Sequence, residues 1–429
     1  MTRRPAHARL DGLLTRRRLL IGAAGVAAGG AAAGIGLDQT HGVSPPIPNV
    51  RAVPEGAQPS GLPARQHAWT ATLSRDPDGN PVAPRFDRLL FFDVVGRPGA
   101  GHRSVLEAAL RTLERRYRWG PDGLLFTAGW GPDYFTRVLK VASPIPVATG
   151  LSDFELPSID DYHLCLHLAG NHEDRLAAIE AALVHDAALP GADRPLDISS
   201  VLRWRETRTG FVGAGLPAAH QNVGGIPSGE PVAKDAPLFM GFKSNLRKNQ
   251  ATEDAVTVAE GPFAHGTTMQ VSYMRLRLDS WYDDLNHEQR IARMYAPQVT
   301  PRQVSQFTTD AESDPNLLSQ AINHYGVIGH SQTSARARRH GKPLIIRRDF
   351  NTIDGGQAGL HFVSIQRTIQ DFVTTRTAMN AAHAQLQNPA ITDVVNNGIN
   401  EFIIVLKRAN YLIPPRSTRS FPLLPRAIQ

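Results

Sequence analysis

Residues 324–351 read HYGVIGHSQTSARARRHGKPLIIRRDFN and residues 359–373 read GLHFVSIQRTIQDFV, and these two stretches decide the fold. The runs 344–348 and 361–366 are strand-like, and residues 368–380 have the apolar spacing of a helix. Two strands followed by a helix form the central part of a split βαβ unit, in which helices cover one face of an antiparallel sheet. The sequence therefore predicts an α+β fold.

The same region holds one histidine in a glycine-flanked turn, His330 after Gly329. Five arginines follow within nineteen residues: Arg336, Arg338, Arg339, Arg347 and Arg348. A planar, anionic, metal-containing cofactor requires this combination, because its metal binds an imidazole nitrogen and its carboxylates bind guanidinium groups. Without such a cofactor, His330 would be a surface loop histidine, and the last two arginines would form a solvated cluster at a strand end.

The pattern of strands and helices occurs twice along the chain. The first set predicts strands at 85–95, 123–130, 162–168 and 197–212, with helices at 102–117 and 172–184. The second set predicts strands at 269–278, 344–348, 361–366 and 401–406, with helices at 279–295 and 368–380. Each set has the order strand, helix, strand, strand, helix, strand, so the sequence predicts two ferredoxin-like modules.

Two segments rich in proline and glycine lack periodicity and predict the boundaries of these modules. Residues 38–66 are interpreted as a linker, and residues 216–236 as the connection between the two halves. The N-terminal half then covers residues 67–215, and the C-terminal half, which carries the candidate site, covers residues 237–415. Residues 416–429 form a C-terminal tail.

The N-terminus predicts export. Residues 15–21 read TRRRLLI and open an apolar run, rich in alanine and glycine, that reaches about Leu37. Paired arginines before a weakly hydrophobic run are typical of a twin-arginine signal, here assigned to residues 1–37. The alternative is a membrane anchor, because the run is close to the minimum length of a span. We expect a periplasmic, cell-envelope or extracellular protein that uses the twin-arginine translocase.

The composition argues against two classes of function. The net charge of +7 suits nucleic-acid binding, but no Lys/Arg run alternates with aromatic residues in the globular part, so we do not expect a nucleic-acid partner. A single cysteine, Cys165, excludes intramolecular disulfides and metal sites made only of cysteine. Its strand-like surroundings favour an inert core residue.

Five phrases of the sequence, taken in order, resemble the dye-decolourising peroxidase family of haem enzymes over residues 80–415. They are FTAGWGPDYF (126–135), DYHLCLHLAGNHEDRL (161–176), GHSQTSARAR (329–338), IIRRDFN (345–351) and GLHFVSIQR (359–367). The resemblance implies a dimeric α+β barrel built from two ferredoxin-like halves, with haem b as the cofactor. It also implies oxidation of a small organic reductant by hydrogen peroxide, and it leaves a homo-oligomer open.

The resemblance also assigns roles to individual residues. His330 would be the protein ligand of the haem iron, and Arg348, eighteen residues later, would stabilise negative charge on the distal side as the O–O bond breaks. Strand alternation sends Arg347 and Arg348 to opposite faces, and the spacing favours Arg348 as the one that faces the haem. Further cofactor contacts are expected from Arg347, Phe242, Asn245 and Phe362.

One position departs from the family pattern of glycine, two residues, aspartate and glycine. Here the phrase is GFKSN (241–245), so Ser244 occupies the position of the aspartate that moves the peroxide proton. A serine hydroxyl cannot serve as a general base near neutral pH. A water held by Ser244 and Arg348 could replace the carboxylate, as could three nearby residues: Glu253, Asp254 and His265.

The residue expected behind the imidazole is also unusual. Asn397, in VVNNGINEF (394–402), occupies the position of a carboxylate, which would leave the imidazole of His330 less electron-rich. Both departures predict low or altered peroxide reactivity. Three functions stay open, namely a haem peroxidase, a haem-binding carrier, sensor or iron-recovery factor, and a haem-free scaffold. The presence of both His330 and Arg348 favours the first two.

Overall fold

The computed structural model describes residues 61–244, 246–304 and 314–424. The predicted signal at 1–37, most of the predicted linker and Asn245 lie outside these residues. In the described part of the chain, no helix combines the length and the apolar character that a membrane crossing requires.

The N-terminal half contains a four-stranded antiparallel sheet with two helices on one face. Its elements are β1 (Phe86–Val94), α1 (Ala100–Arg116), β2 (Leu125–Trp130), β3 (Ser158–Ile159), β4 (Leu164–Gly170), α2 (Glu173–Val184) and β5 (Leu202–Phe211). The sheet has the order β5–β1–β4–β2, and the short β3 pairs with a strand of the other half. This is the strand order of a ferredoxin-like module.

The C-terminal half repeats the plan with additional short elements. These are α3 (Glu253–Val256), β6 (Thr267–Leu276), α4 (Leu278–Asp283), α5 (His287–Met294), α6 (Pro315–Gln320), α7 (His330–Ser334), β7 (Arg338–Arg339), β8 (Lys342–Pro343), β9 (Ile345–Arg347), β10 (Phe350–Thr352), β11 (Gly359–Gln366), α8 (Ile369–Ala378), α9 (Ala382–Gln387) and β12 (Ile403–Ile413). The main strands have the order β12–β6–β11–β9. This order matches that of the first half.

One strand, β10, closes the sheet into a barrel. It pairs with β11 and also with β5, where Asn351 lies opposite Phe211, while on the opposite side Leu412 of β12 lies opposite Trp130 of β2. Only glycine fits beside β10 at the first of these junctions, because a Cβ at Gly210 would lie 2.0 Å from the carbonyl oxygen of Asn351. The predicted α+β barrel of two ferredoxin-like modules is confirmed.

Both faces of the barrel wall are buried. Inward side chains from the two halves form one core, which includes Leu89, Phe91, Cys165, Met269, Val271, Val363 and Ile365. The outer face of the N-terminal half packs against α1 and α2 through residues such as Leu110, Ile179 and Leu183. The outer face of the C-terminal half packs against α4 and α5, and the space beside this contact contains the candidate site.

The helix predicted at 279–295 is two helices, α4 and α5. A capping box begins the second one: Oδ1 of Asn286 accepts a hydrogen bond from the amide of Gln289 at 2.9 Å, and Oε1 of Gln289 accepts one from the amide of Asn286 at 2.8 Å. Short polar side chains such as those of Asp284 and Asn286 compete with the helical hydrogen bonds of the backbone. The apolar spacing alone could not show this break.

Both ends of the described chain pack into the folded domain. Oε1 of Gln66, a residue assigned to the linker, accepts a hydrogen bond from the amide of Ala128 at 2.9 Å inside the protein. Arg419, assigned to the tail, is buried against α1 and donates to Glu107 at 3.1 Å and to Glu114. These parts of the predicted linker and tail therefore contribute to the core of the N-terminal half.

Candidate functional site

A cavity lies between the outer face of the C-terminal sheet and the helices α5, α7 and α8. Most of its wall is apolar and includes Phe239, Met240, Phe242, Met274, Leu276, Leu360, Phe362, Phe372, Met379 and Ile403. Such a wall suits a mainly apolar ligand that makes few polar contacts.

Two close backbone contacts hold His330 in the wall of this cavity. His330 is the first residue of α7, and a Cβ on the preceding Gly329 would lie 1.8 Å from the carbonyl oxygen of Tyr295. On another side, Gly398 has a φ of +54°, and its Cβ would lie 2.9 Å from the Cα of His330. The amide of Gly329 donates to Oε1 of Gln332 at 3.0 Å, which caps the helix. The backbone of His330 is therefore fixed.

The imidazole of His330 is neutral. Burial, with smaller contributions from the charges of Arg347 and Arg376, lowers the pKa of His330 to about 3. Its Nδ1 atom is enclosed and has no hydrogen-bond partner among the described residues. Oδ1 of Asn397, which lies in the segment that pairs with Ile328, is likewise enclosed and unpaired within the described chain. A neutral imidazole is the form of histidine that binds a metal.

Of the two neighbouring arginines, Arg347 faces the cavity. The strands β9 and β10 pair with β11 in one register that continues across residues 348 and 349, so side chains alternate along 345–352. Arg347 lines the cavity together with His330, whereas Arg348 does not. The structure thus places Arg347 on the cavity face, where the sequence favoured Arg348, because distance along the chain does not determine on which face of a strand a residue lies. The role of Arg348 toward a cofactor stays a prediction.

Arg348 lies on the other side of the strand. Its guanidinium carbon is 3.7 Å from the centroid of the Trp69 ring, and Nη2 donates to the carbonyl oxygen of His67 at 2.6 Å. Burial lowers the pKa of Arg348 to about 10, against the opposing effect of the Glu253 and Asp87 carboxylates, so the guanidinium stays charged at neutral pH. Arg348 thus connects the segment before β1 to the sheet.

The other residues predicted to contact a cofactor have different positions. Phe242 and Phe362 line the cavity. Ser244 also lines it, and its carbonyl oxygen accepts a hydrogen bond from Nη2 of Arg347. Asn245 lies outside the described residues. The structure therefore brings His330, Arg347, Ser244 and the two phenylalanines together around one cavity.

Several polar residues of the cavity wall were missed from the sequence, among them Arg376 and Arg408. Two others, Asp349 and Asn351, follow Arg347 on the same face, so strand alternation could have found them. Oδ1 of Asn351 accepts a hydrogen bond from the amide of Phe239 at 2.8 Å, and Nδ2 donates to the carbonyl oxygen of Phe211 at 3.0 Å. These bonds hold the segment around Phe239, here called the cavity loop, on the sheet. Asp349 supplies the one carboxylate among the described residues of the cavity wall.

The residues named as substitutes for the missing aspartate do not reach this cavity. Oε1 of Glu253 accepts hydrogen bonds from the amides of Trp69 and Thr70, both at 2.7 Å. Neither Glu253 nor Asp254 nor His265 lines the cavity. All three are therefore poorly placed to act on a ligand bound there.

The fold and the site define an α+β barrel protein with one histidine in an apolar cavity of its C-terminal half. The chain belongs to a family of unknown function (DUF7405), whose model matches residues 84–415. No curated protein matches the sequence.

Several solved structures of DyP-type peroxidases share this fold. One from Shewanella oneidensis is 14% identical with a TM-score of 0.54, covering 78% of this chain and 94% of that one. Another, from Cellulomonas bogoriensis, is 17% identical with a TM-score of 0.52, covering 78% and 90%. A DypB variant from Rhodococcus jostii RHA1, solved in complex with heme, is 12% identical with a TM-score of 0.53, covering 83% and 98%.

Proposed function

We propose that this protein is a haem-b-binding peroxidase of the DyP type, in which hydrogen peroxide oxidises a small organic reductant. The observation that carries the proposal is His330, a neutral imidazole in the wall of an apolar cavity. The fold is that of DyP-type peroxidases, and a DypB variant with this fold was solved with heme.

The chemistry of the site suits a metal inside a prosthetic group better than a bare ion. Within the described residues, no three His, Cys, Asp or Glu side chains come together in a way that could hold a metal ion. A metal at His330 would therefore need most of its ligands from the group that carries it, as iron does in a porphyrin. The apolar wall and the single imidazole both fit haem.

Individual residues would hold the group in this cavity. His330 would bind the iron, and the rings of Phe242 and Phe362 would pack against the porphyrin. Nε of Arg347 is enclosed and has no hydrogen-bond partner within the described residues, so it can donate to a haem carboxylate or to peroxide. When bound, haem would supply the redox chemistry between peroxide and the organic reductant. The charge of Arg347 would stabilise negative charge that develops on a peroxide oxygen.

A second function, haem binding without efficient turnover, is favoured by two side chains. The resemblance implies that Ser244 occupies the position of one carboxylate, and that the amide Asn397 occupies the position of another near His330. An amide is a weaker hydrogen-bond acceptor than a carboxylate, so it makes the imidazole a less electron-rich ligand. A carrier, a sensor or an iron-recovery factor would need haem affinity alone.

Export is a further part of the proposal and rests on the N-terminal sequence. The arginine pair and the apolar run within residues 1–37 suit the twin-arginine translocase, which would place the protein in the periplasm, the cell envelope or the extracellular space. Fusion of residues 1–37 to a reporter that only this pathway exports tests this part, with Arg16 and Arg17 both changed to lysine as the control.

Haemin titration tests the cofactor assignment. The Soret band of the full-length protein is followed for the wild type, His330→Ala and the control His324→Ala, because His324 is exposed and lies outside the cavity wall. Loss of residues behind a metal ligand already costs about 10–100-fold in affinity, so we expect at least about 100-fold weaker binding for His330→Ala and no change for His324→Ala. Equal affinities for all three proteins would contradict the assignment.

Turnover separates the two functions once haem is bound. The loaded wild type is mixed with hydrogen peroxide and a dye or phenol as the reductant, and oxidation of the reductant is followed. A rate well above that of free haemin supports the peroxidase. A rate equal to that of free haemin, together with tight binding, supports the carrier, sensor or iron-recovery function.

A further inference from the structure

We propose that Asp349 is the acid–base residue of the candidate site and takes the part that Ser244 cannot perform. This inference rests on the proposed haem peroxidase function and names a catalytic residue for it. Asp349 follows Arg347 on the same face of the strand and lines the same cavity as His330. It is 9% exposed, and no other carboxylate lines the cavity in the described part of the chain.

The carboxylate of Asp349 is available for proton transfer. No described residue donates a hydrogen bond to it, whereas other buried carboxylates are occupied. Asp87 binds Nε2 of His167 at 2.7 Å, and Glu155 binds Nη1 of Arg408 at 2.9 Å. A buried polar group normally has a partner, so a free carboxylate that faces a cavity indicates that its partner comes from the ligand.

Asp349 also has a route to water. A second cavity lies on the other side of the strand, and Arg347, Arg348 and Asp349 all contribute to its wall. Its rim includes the exposed side chains of Arg75 and Arg247. Arg347 and Asp349 line both cavities, so they lie between the two. The second cavity therefore gives Asp349 an approach from solvent that is separate from the cavity of His330.

In the proposed step, Asp349 moves one proton between the two oxygens of hydrogen peroxide. Its carboxylate accepts the proton of one oxygen and gives it to the other, which leaves as water when the O–O bond breaks. Over the whole reaction, one peroxide takes two electrons and two protons from the organic reductant and leaves as two waters. Asp349 therefore returns to its starting form, and Arg347 stabilises the negative charge that develops during the transfer.

The test compares Asp349→Asn with the control Asp283→Asn in the haem-loaded full-length protein, because Asp283 is exposed and lies outside the cavity wall. General acid–base catalysis contributes about 10²–10⁴-fold, so we expect the peroxide reaction of Asp349→Asn to slow by at least about 100-fold. Asp283→Asn is expected to stay within about threefold of the wild type, because the carboxylate that it removes does not line the cavity. The double variant Asp349→Asn/Ser244→Asp restores a carboxylate and should recover much of the lost rate.

A second readout does not depend on turnover. Hydrogen cyanide must lose its proton to bind ferric haem, so its association rate reports on a base beside the metal. We expect cyanide to bind to Asp349→Asn at least about tenfold more slowly than to the wild type, and to Asp349→Glu at nearly the wild-type rate. If Asp349→Asn does not fold, Asp349→Gln and Asp349→Glu provide the same comparison.

The outcomes separate this inference from the function on which it rests. Equal cyanide rates for the wild type and Asp349→Asn overturn the role of Asp349, whatever the turnover. If the haem-loaded wild type does not react with peroxide, the proposed peroxidase function is wrong. The cyanide association rates still test whether Asp349 acts as a base. Failure of the wild type to bind haemin more tightly than His330→Ala overturns both.

Discussion

The guanidinium carbon of Arg348 lies 3.7 Å from the centroid of the Trp69 ring, whereas the neighbouring Arg347 faces the cavity of His330. Two adjacent arginines thus perform different tasks. Truncation of Arg348 removes a charge-assisted hydrogen bond, worth about 1.5–3 kcal/mol, and a cation–π contact. We expect Arg348→Ala to lower the free energy of unfolding by about 2 kcal/mol, measured in urea, and to leave haemin affinity within about threefold.

Arg347→Ala should show the opposite pattern. Its side chain faces the cavity and keeps an enclosed Nε without a partner among the described residues, so removal takes away a donor for the ligand. We expect haemin affinity, measured by titration, to fall by about tenfold, in line with the 1.5–3 kcal/mol of a hydrogen bond from a charged group. A larger loss of haemin affinity in Arg348→Ala than in Arg347→Ala would contradict the assignment of faces.

The pH dependence of stability should contain a contribution from His67. Burial, reinforced by the charges of Arg348 and Arg65, lowers the pKa of His67 to about 3, against about 6.5 in an unfolded chain. Between these values the unfolded chain binds a proton that the folded chain does not bind. The free energy of unfolding therefore falls as the pH is lowered through this window, by up to about 1.4 kcal/mol per pH unit for one group.

Urea unfolding at several pH values between 4 and 7 tests this contribution. The slope against pH should be smaller for His67→Gln than for the wild type, and unchanged for His324→Gln, whose side chain is exposed. Because the slopes of the free energy of unfolding against pH are compared, any effect of the substitution that does not depend on pH cancels. Identical slopes for the wild type and His67→Gln would exclude His67 as a source of the pH dependence.

Gly329 should accept no side chain. A Cβ there would lie 1.8 Å from the carbonyl oxygen of Tyr295, so the turn that carries His330 would have to move. We expect Gly329→Ala to lower the free energy of unfolding by about 3 kcal/mol and to weaken haemin binding. The matched control is Gly101→Ala in α1, where a Cβ meets nothing within 4 Å and should be neutral or stabilising.

Asn351 should stabilise the cavity loop and the barrel closure together. Asn351→Ala removes buried hydrogen bonds to the backbone of Phe239 and Phe211, which predicts a loss of about 2–4 kcal/mol in the free energy of unfolding. Hydrogen exchange of the Phe239 amide should also become faster. Asn323→Ala, at an exposed position, should change stability by less than about 0.5 kcal/mol. Protection of Phe239 at the wild-type level would argue against this role.

The sequence predicted the order of the main elements because each strand and helix repeats its apolar residues at its own period. It did not predict the break between α4 and α5, because a capping box at Asn286 depends on two side chains and not on periodicity. The boundaries of the halves remain a prediction. His330 could be singled out because Gly329 precedes it and arginines follow it.

The arrangement of the polar side chains was harder to predict. The alternation of side chains along a strand predicted that Arg347 and Arg348 lie on opposite faces, but the sequence does not show which face of the strand lines the cavity. That depends on the register of β9 and β10 with β11 and on helices far away in the chain. Asp349 was missed for the same reason, since it becomes a candidate only once Arg347 is known to face the cavity.

The closure of the barrel has a consequence for how the two halves can be separated. In sequence β10 belongs to the C-terminal half, but in space it covers the edge of β5 where Gly210 meets Asn351. A gene cut within residues 216–236 would therefore give an N-terminal fragment with the hydrogen-bonding groups of β5 unpaired. Exposed strand edges of this kind recruit other strands, so the fragment should aggregate or dimerise, and only coexpression with the C-terminal fragment should keep it soluble.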